Sequence, residues 1–141
     1  MPGDPYIIST DPARLNLDVI ARLLGETYWA AGRSKEIIRA SLEKSVGFGA
    51  YLTADGTQVG FARVVSDGVT FSWVCDVVVD PDHRGRGLGK RLMQAVVAHP
   101  AVRNTKSILA TRDAHGLYRQ FGYVRQEAMR RSPEADLRRR P

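Results

Sequence analysis

Hydrophobic residues recur along this chain with two different periods. Leu15, Val19, Ile20, Leu23 and Leu24 fall at helical spacing, which predicts a helix from Leu15 to Leu24 with Gly25 near its end. Ser34 is placed to cap a second helix from Lys35 to Lys44, whose apolar positions are Ile37, Ile38 and Leu42. Tyr6 to Ser9 reads as a short strand before the Asp11-Pro12 turn. After residue 47 the pattern changes to strand-like runs punctuated by Asp-Gly turns. Phe48 to Thr53, Gln58 to Ser66 and Val69 to Val79 are joined through Asp55-Gly56 and Asp67-Gly68, an antiparallel meander. Helical spacing returns from Leu88 to Ala98 and stops at His99-Pro100. Ser107 to Thr111 reads as a strand and Ala114 to Phe121 as a short helix closed by Gly122. Tyr123 to Gln126 is predicted to begin a last strand or pair.

Composition narrows the classes. The chain has 141 residues, 43% hydrophobic and 26% charged, as expected for one compact domain over 1–141 rather than a disordered chain. No apolar run is long enough to span a membrane, and the first residues do not read as a signal peptide. One cysteine, Cys75, offers no internal disulfide, and His83, His99 and His115 have no metal-ligand spacing, so no metal is expected and a cytoplasmic location is the default. The net charge of +6 lies wholly after residue 100, because residues 1–100 hold 11 basic and 11 acidic side chains. The Pro- and Arg-rich end, about 132–141, reads as a flexible basic tail. A basic tail without a recognition module does not imply a nucleic-acid partner.

The chemically informative stretch runs from Val77 to Lys90. A Val-rich strand enters a loop with Arg84, Gly85, Arg86, Gly87 and Gly89, and the loop opens the helix that starts at Leu88. Helix N-termini present unpaired N–H groups and positive dipole ends, and glycines let a backbone approach an anion closely. Cations in a first turn oppose the helix dipole, so a bound anion is the better explanation for Lys90 and Arg91. The glycines alternate, unlike those of a P-loop or of a dinucleotide-binding turn.

Arg84-x-x-Gly87-x-Gly89 after a strand and before an amphipathic helix resembles the acyl-CoA signature of the GNAT superfamily of N-acetyltransferases. Ala114 to Tyr123, with Tyr118 and Gly122, resembles the short helix of the same superfamily, and the order of elements matches from about residue 6 to 130. The resemblance implies an α/β (α+β) GNAT fold: a mixed, mostly antiparallel central sheet, a splayed pair of central strands and flanking helices. It implies acetyl-CoA as cosubstrate. Val77, Val78 and Val79 would hold the pantetheine arm in the manner of an added strand. Backbone N–H groups from Arg84 through Lys90, Leu88 included, would hold the pyrophosphate, with Arg84, Arg86 and Lys90 as candidate phosphate partners. Val79 to Pro81 and Ile108 to Thr111 would splay. Thr111 stands where the family often has an asparagine that touches the cofactor, which weakens that contact.

The implied reaction is transfer of an acetyl group to the primary amine of a small molecule by direct attack in a ternary complex. Its alternatives are acetylation of a protein lysine or N-terminal amine and a non-catalytic acyl-CoA sensor. Tyr118 occupies the place of the family's tyrosine and is assigned general acid toward the departing thiolate. A backbone N–H near Val78 would meet the oxyanion. Asp76, the lone carboxylate of its strand, is either the base or amine anchor, or a structural hydrogen-bond partner. Strand alternation sends Phe71, Trp73 and Cys75 to the face opposite it. Glu26, Tyr28 and Trp29, between the first two helices, are the candidate substrate-binding residues. The resemblance also raises the expectation of a homodimer through the last strands. No membrane partner is expected.

Overall fold

The computed structural model describes residues 3–133. Strand β1 (Tyr6–Ser9) precedes two helices, α1 (Leu17–Gly25) and α2 (Lys35–Leu42). Three strands follow, β2 (Val46–Leu52), β3 (Gln58–Ser66) and β4 (Phe71–Val79), then α3 (Leu88–Ala98), β5 (Lys106–Leu109) and the short α4 (His115–Arg119). The capping predicted for α2 is present, with the Ser34 hydroxyl accepting from the Ile37 N–H; Asn16 does the same for α1 through the Val19 N–H. Turn glycines Gly56 and Gly68 both have φ of +77°, which is why these positions are glycine.

The five strands lie in sequence order, antiparallel from β1 to β4, with β5 added parallel to β4. The sheet is mixed and mostly antiparallel, and helices cover both faces. One core joins Phe48, Ala50, Ala62, Val64 and Val74 to Leu88, Leu92, Met93 and Val96 of α3. The other joins Ile20, Leu23, Leu24 and Ile38 of α1 and α2 to Phe61 and Val78.

These two cores expose a break in β4. Val74 packs on the α3 side and Val78 on the α1 side, although strict alternation would put them on one face. The ladder explains the flip: Cys75 pairs with Arg63 and Val78 with Phe61, so two residues of β4, Asp76 and Val77, face one residue of β3. This is a β-bulge, and Asp76 sits in it at φ +58°, the one positive φ of a non-glycine residue among the described residues. The predicted separation of Asp76 from the Cys75 face therefore fails. The left-handed turn brings its carboxylate to Arg63, whose ladder partner is Cys75.

The splay is real but begins earlier than expected. β4 and β5 pair from Phe71–Lys106 to Val74–Leu109, and pairing stops there. Ile108 and Leu109 thus belong to the paired part, and the divergence starts at Cys75 and Ala110 rather than at Val79. The last strand predicted over Tyr123 to Gln126 is not formed. Residues 123–133 carry no regular structure; Val124 and Met129 are exposed, and the Tyr123 hydroxyl instead meets that of Ser107 at 2.7 Å. That stretch is dominated by polar side chains and offers no second apolar run to cover a sheet face. The strands expected to carry a homodimer contact are accordingly not present within residues 3–133. Most of the tail expected over 132–141 lies outside the described residues. No helix among the described residues is long and apolar enough to cross a membrane.

Candidate active site

The divergence of β4 from β5 opens a cleft of about 1310 Å³ between the glycine loop, the α1–α2 connection and α4. Along its β4 wall run Val77, Val78 and Val79, on an edge that β5 leaves unpaired. An unpaired strand edge presents backbone donors and acceptors to an extended ligand.

The loop at the end of this wall is shaped by two glycines. Gly85 has φ +78° and Gly87, which caps α3, has φ +77°. A Cβ added to either would meet nothing of the protein within 4 Å, so the space above them is open. The first helical hydrogen bond runs from Arg91 N–H to Gly87 C=O. Upstream of it, the N–H groups of Gly85 through Lys90 meet no acceptor among the described residues, and no acidic side chain stands in the first turn. A row of free N–H groups over a glycine-lined hollow fits a pyrophosphate in both charge and clearance.

The cations around this loop divide. Arg84 lines the cleft, its Nε donating to the Val79 carbonyl at 3.2 Å. Arg86 does not line it; its guanidinium donates instead to the Tyr6 hydroxyl at 3.3 Å, beside the Tyr6–His83 contact. Lys90 is exposed and does not line the cleft, and Arg91 is tied to Asp4 at 2.7 Å. The side chains of Arg86 and Lys90 thus lie outside the lining of the cleft, while their N–H groups belong to the row. Thr111 lines the cleft, and its hydroxyl accepts from the Ala114 N–H at 3.0 Å, so its oxygen shapes the entry to α4.

Tyr118 on α4 reaches the same cleft from the β5 side. It is half-buried, and burial raises its phenol to about 12, so the hydroxyl keeps its proton at neutral pH. No group among the described residues hydrogen-bonds that hydroxyl. Its ring packs edge-on to Tyr123, with centroids 6.3 Å apart.

Opposite lies the α1–α2 connection. Glu26, Tyr28 and Trp29 all line the cleft. Tyr28 and Trp29 meet edge-on at 5.0 Å, and the Arg112 guanidinium lies over the Tyr28 ring at 3.7 Å. Trp73 and Cys75 also reach the cleft; burial pushes the Cys75 thiol up to about 11, so it is not a thiolate nucleophile. Asp76 is 4% exposed. It accepts from Trp29 Nε1 at 3.2 Å, Arg33 Nη1 at 2.9 Å and Arg63 Nε at 2.9 Å. Arg63 escaped the sequence reading. Its signal was a lone cation in the apolar run Gly60 to Val65, but only the bulged register shows that it meets the lone carboxylate of β4.

Fold and cleft define a mixed α/β domain with an open, glycine-lined helix N-terminus beside a splayed sheet. The acetyltransferase (GNAT) domain family matches residues 25–125, and the chain belongs to that family. A GNAT-family protein of known structure from Xanthomonas campestris pv. campestris is 40% identical, with a TM-score of 0.85 over 94% of this chain and 95% of that one. A Gibberella zeae protein classed as an acetyltransferase is 34% identical over 110 residues, 65% of this chain and 62% of the relative. Serotonin N-acetyltransferase 2, chloroplastic, of Oryza sativa subsp. japonica is 35% identical over 116 residues, 77% of this chain and 57% of the relative. The chain thus spans 62% and 57% of the length of these two curated relatives in its matched part.

Proposed function

We propose that the protein transfers an acetyl group from acetyl-CoA to the primary amine of a small molecule in a ternary complex. The observation that carries this reading is the row of free N–H groups from Gly85 to Lys90 leading into the gap between β4 and β5, with Tyr118 in the same gap. Bound there, acetyl-CoA supplies a thioester carbonyl that an amine can attack. The loop N–H groups hold the diphosphate, and Arg84 adds one charge. The free edge of Val77 to Val79 aligns the pantetheine arm, and a backbone N–H at the start of the splay, near Val78, faces the carbonyl oxygen as charge develops. The protonated Tyr118 hydroxyl is the donor for the departing sulfur. Water carries the amine proton away, since both Asp76 oxygens already accept from guanidinium or indole donors. Glu26 and Asp113 line the cleft without an ion pair among the described residues, and Glu26, on the connection, is the one assigned to attract an ammonium.

The acceptor wall favours a flat amine. Tyr28, Trp29 and Trp73 line it with exposed rings, and the rice relative is named for serotonin acetylation. The test is release of free CoA thiol from acetyl-CoA against a panel: tryptamine and other aromatic amines, aliphatic amines, and peptides with a lysine or a free N-terminus. Turnover on aromatic amines above aliphatic ones is the expected result. Turnover on peptides alone would move the function to protein acetylation. Tight acetyl-CoA binding without any turnover would make the protein a sensor. The cytoplasm is the compartment that goes with this reading.

A further inference from the structure

The acceptor side of the cleft is formed by a connection with neither helix nor strand between Gly25 and Lys35. Such a segment needs external ties to present a fixed surface. Its deepest tie is Asp76. From this connection Trp29 donates to Asp76 Oδ1, and Arg33 donates to Oδ2. From the sheet, Arg63 donates to the same Oδ2. The Asp76 side chain is 2% exposed, against 25% for Arg33 and 15% for Arg63, so a buried carboxylate draws two cations inward. Trp29 itself remains 43% exposed: its N–H is tied inside while its ring faces the cleft. The backbone at Asp76 is held at φ +58° in the bulge where the sheet begins to splay. Non-glycine residues in that region are held there by their surroundings.

We infer that Asp76 is a positioning residue: one buried carboxylate clamps the Trp29 wall of the acceptor site onto the β4 bulge, so acceptor orientation and the carbonyl-facing backbone are set together. The acceptor role of that wall rests on the proposed function; the clamp itself does not. The clamp differs from proton abstraction in a measurable way. A base sets the acid limb of the pH profile, whereas a clamp sets acceptor affinity. The charged groups facing Asp76 are Arg33 from the connection and Arg63 from β3, and Cys75 adjoins it on its own strand.

Asp76→Gly tests this with little backbone penalty, because glycine takes a positive φ freely. The chain has two tryptophans, so Trp73→Phe leaves Trp29 as the sole reporter. In that background, Asp76→Gly should raise acrylamide quenching of Trp29 at least about twofold and lower its anisotropy, with coenzyme A binding unchanged. Arg33→Ala, at a partly exposed position, should move both readouts in the same direction if Asp76→Gly does not fold. With tryptamine as acceptor and Trp73 intact, Asp76→Gly should raise the acceptor KM by roughly ten- to a hundredfold, the span of the charge-assisted hydrogen bond that holds the Trp29 ring, one of the three lost. The pH profile should keep its shape. Unchanged Trp29 quenching would overturn the clamp. So would loss of the acid limb with an unaltered acceptor KM, which would make Asp76 the base. If the wild-type protein acetylates no amine, the functional reading fails while the quenching arm still decides on the clamp.

Discussion

Tyr118→Phe isolates one oxygen atom. The ring packs against the core cluster of α3 and edge-on to Tyr123, and phenylalanine keeps all of that. The lost hydroxyl has no hydrogen-bond partner among the described residues, so its removal orphans nothing, and stability should change by less than about 0.5 kcal/mol. Catalysis should suffer far more. A positioned general acid contributes roughly 10²- to 10⁴-fold, or about 2.7 to 5.4 kcal/mol of barrier at 1.36 kcal/mol per decade. A thiolate leaves readily, so the lower end applies, and kcat should fall about a hundredfold. The pH dependence follows from burial. Because the phenol is raised to about 12, its acid form is complete across pH 6 to 10 and is lost only as pH rises through that value. The wild-type rate should therefore show no decline from this group below about pH 11. The assay is thiol release at saturating acetyl-CoA and amine, with coenzyme A affinity measured by calorimetry. A kcat within about threefold of wild type, at unchanged coenzyme A affinity, would remove Tyr118 from the reaction.

Three further substitutions probe the site and its frame. Gly87→Ala forces a Cβ into a position with φ +77°, at a cost of about 1 to 2 kcal/mol, and into the hollow read as the diphosphate site. Coenzyme A affinity by calorimetry should fall at least about tenfold, beyond the few degrees lost in Tm, and an unchanged affinity would refute the hollow as the anion site. Tyr51→Phe removes a hydroxyl that is buried without a partner among the described residues and lies against Gly49, so thermal unfolding should show a gain of up to about 1 kcal/mol. Asp67 accepts from the N–H groups of Val69, Thr70 and Phe71 and from the Thr70 hydroxyl, which holds its carboxyl well below the usual range. A depressed carboxyl stabilises the fold above its unfolded value near 3.8 and loses that contribution as pH falls through the folded value. The gap in urea midpoint between wild type and Asp67→Ala should thus be full at pH 6 and shrink below pH 4; a gap that stays constant with pH would refute the role of the ionised form.

The glycine-loop side of the cleft was legible in the sequence because it is built from consecutive residues. Val77 to Lys90 form strand edge, glycine cradle and helix start without help from elsewhere, so the local pattern was enough. The limits of α3 and β3 were readable for the same reason, since each is a long run with one period. The side chains in that loop were harder. Proximity in sequence groups Arg86 and Lys90 with the loop, whereas Tyr6, eighty positions earlier, accepts from the Arg86 guanidinium. Over Tyr123 to Gln126 a mildly apolar start was read as a strand. The outer edge of β5 is open, yet residues 123–133 form no ladder with it; the contact made there is the Tyr123 hydroxyl on Ser107.

The Asp76 side of the cleft was hidden by the bulge. Regular alternation places Asp76 away from Cys75, and on that pattern its neighbours would be those of the α3 core, where a lone carboxylate invites a catalytic role. One extra residue in β4 reverses the parity, carries Val78 to the α1 side and turns Asp76 toward Arg63. Arg33 and Trp29 then reach the same carboxylate from a connection more than forty positions away. A residue whose isolation in sequence suggests chemistry is, in three dimensions, among the most fully partnered side chains of the cleft. Tyr118 shows the opposite: its aromatic neighbours suggest packing, yet its hydroxyl is unengaged beside the splay. Within this cleft, the carboxylate isolated in sequence is held by three donors, while the Tyr118 hydroxyl meets no hydrogen-bond partner among the described residues.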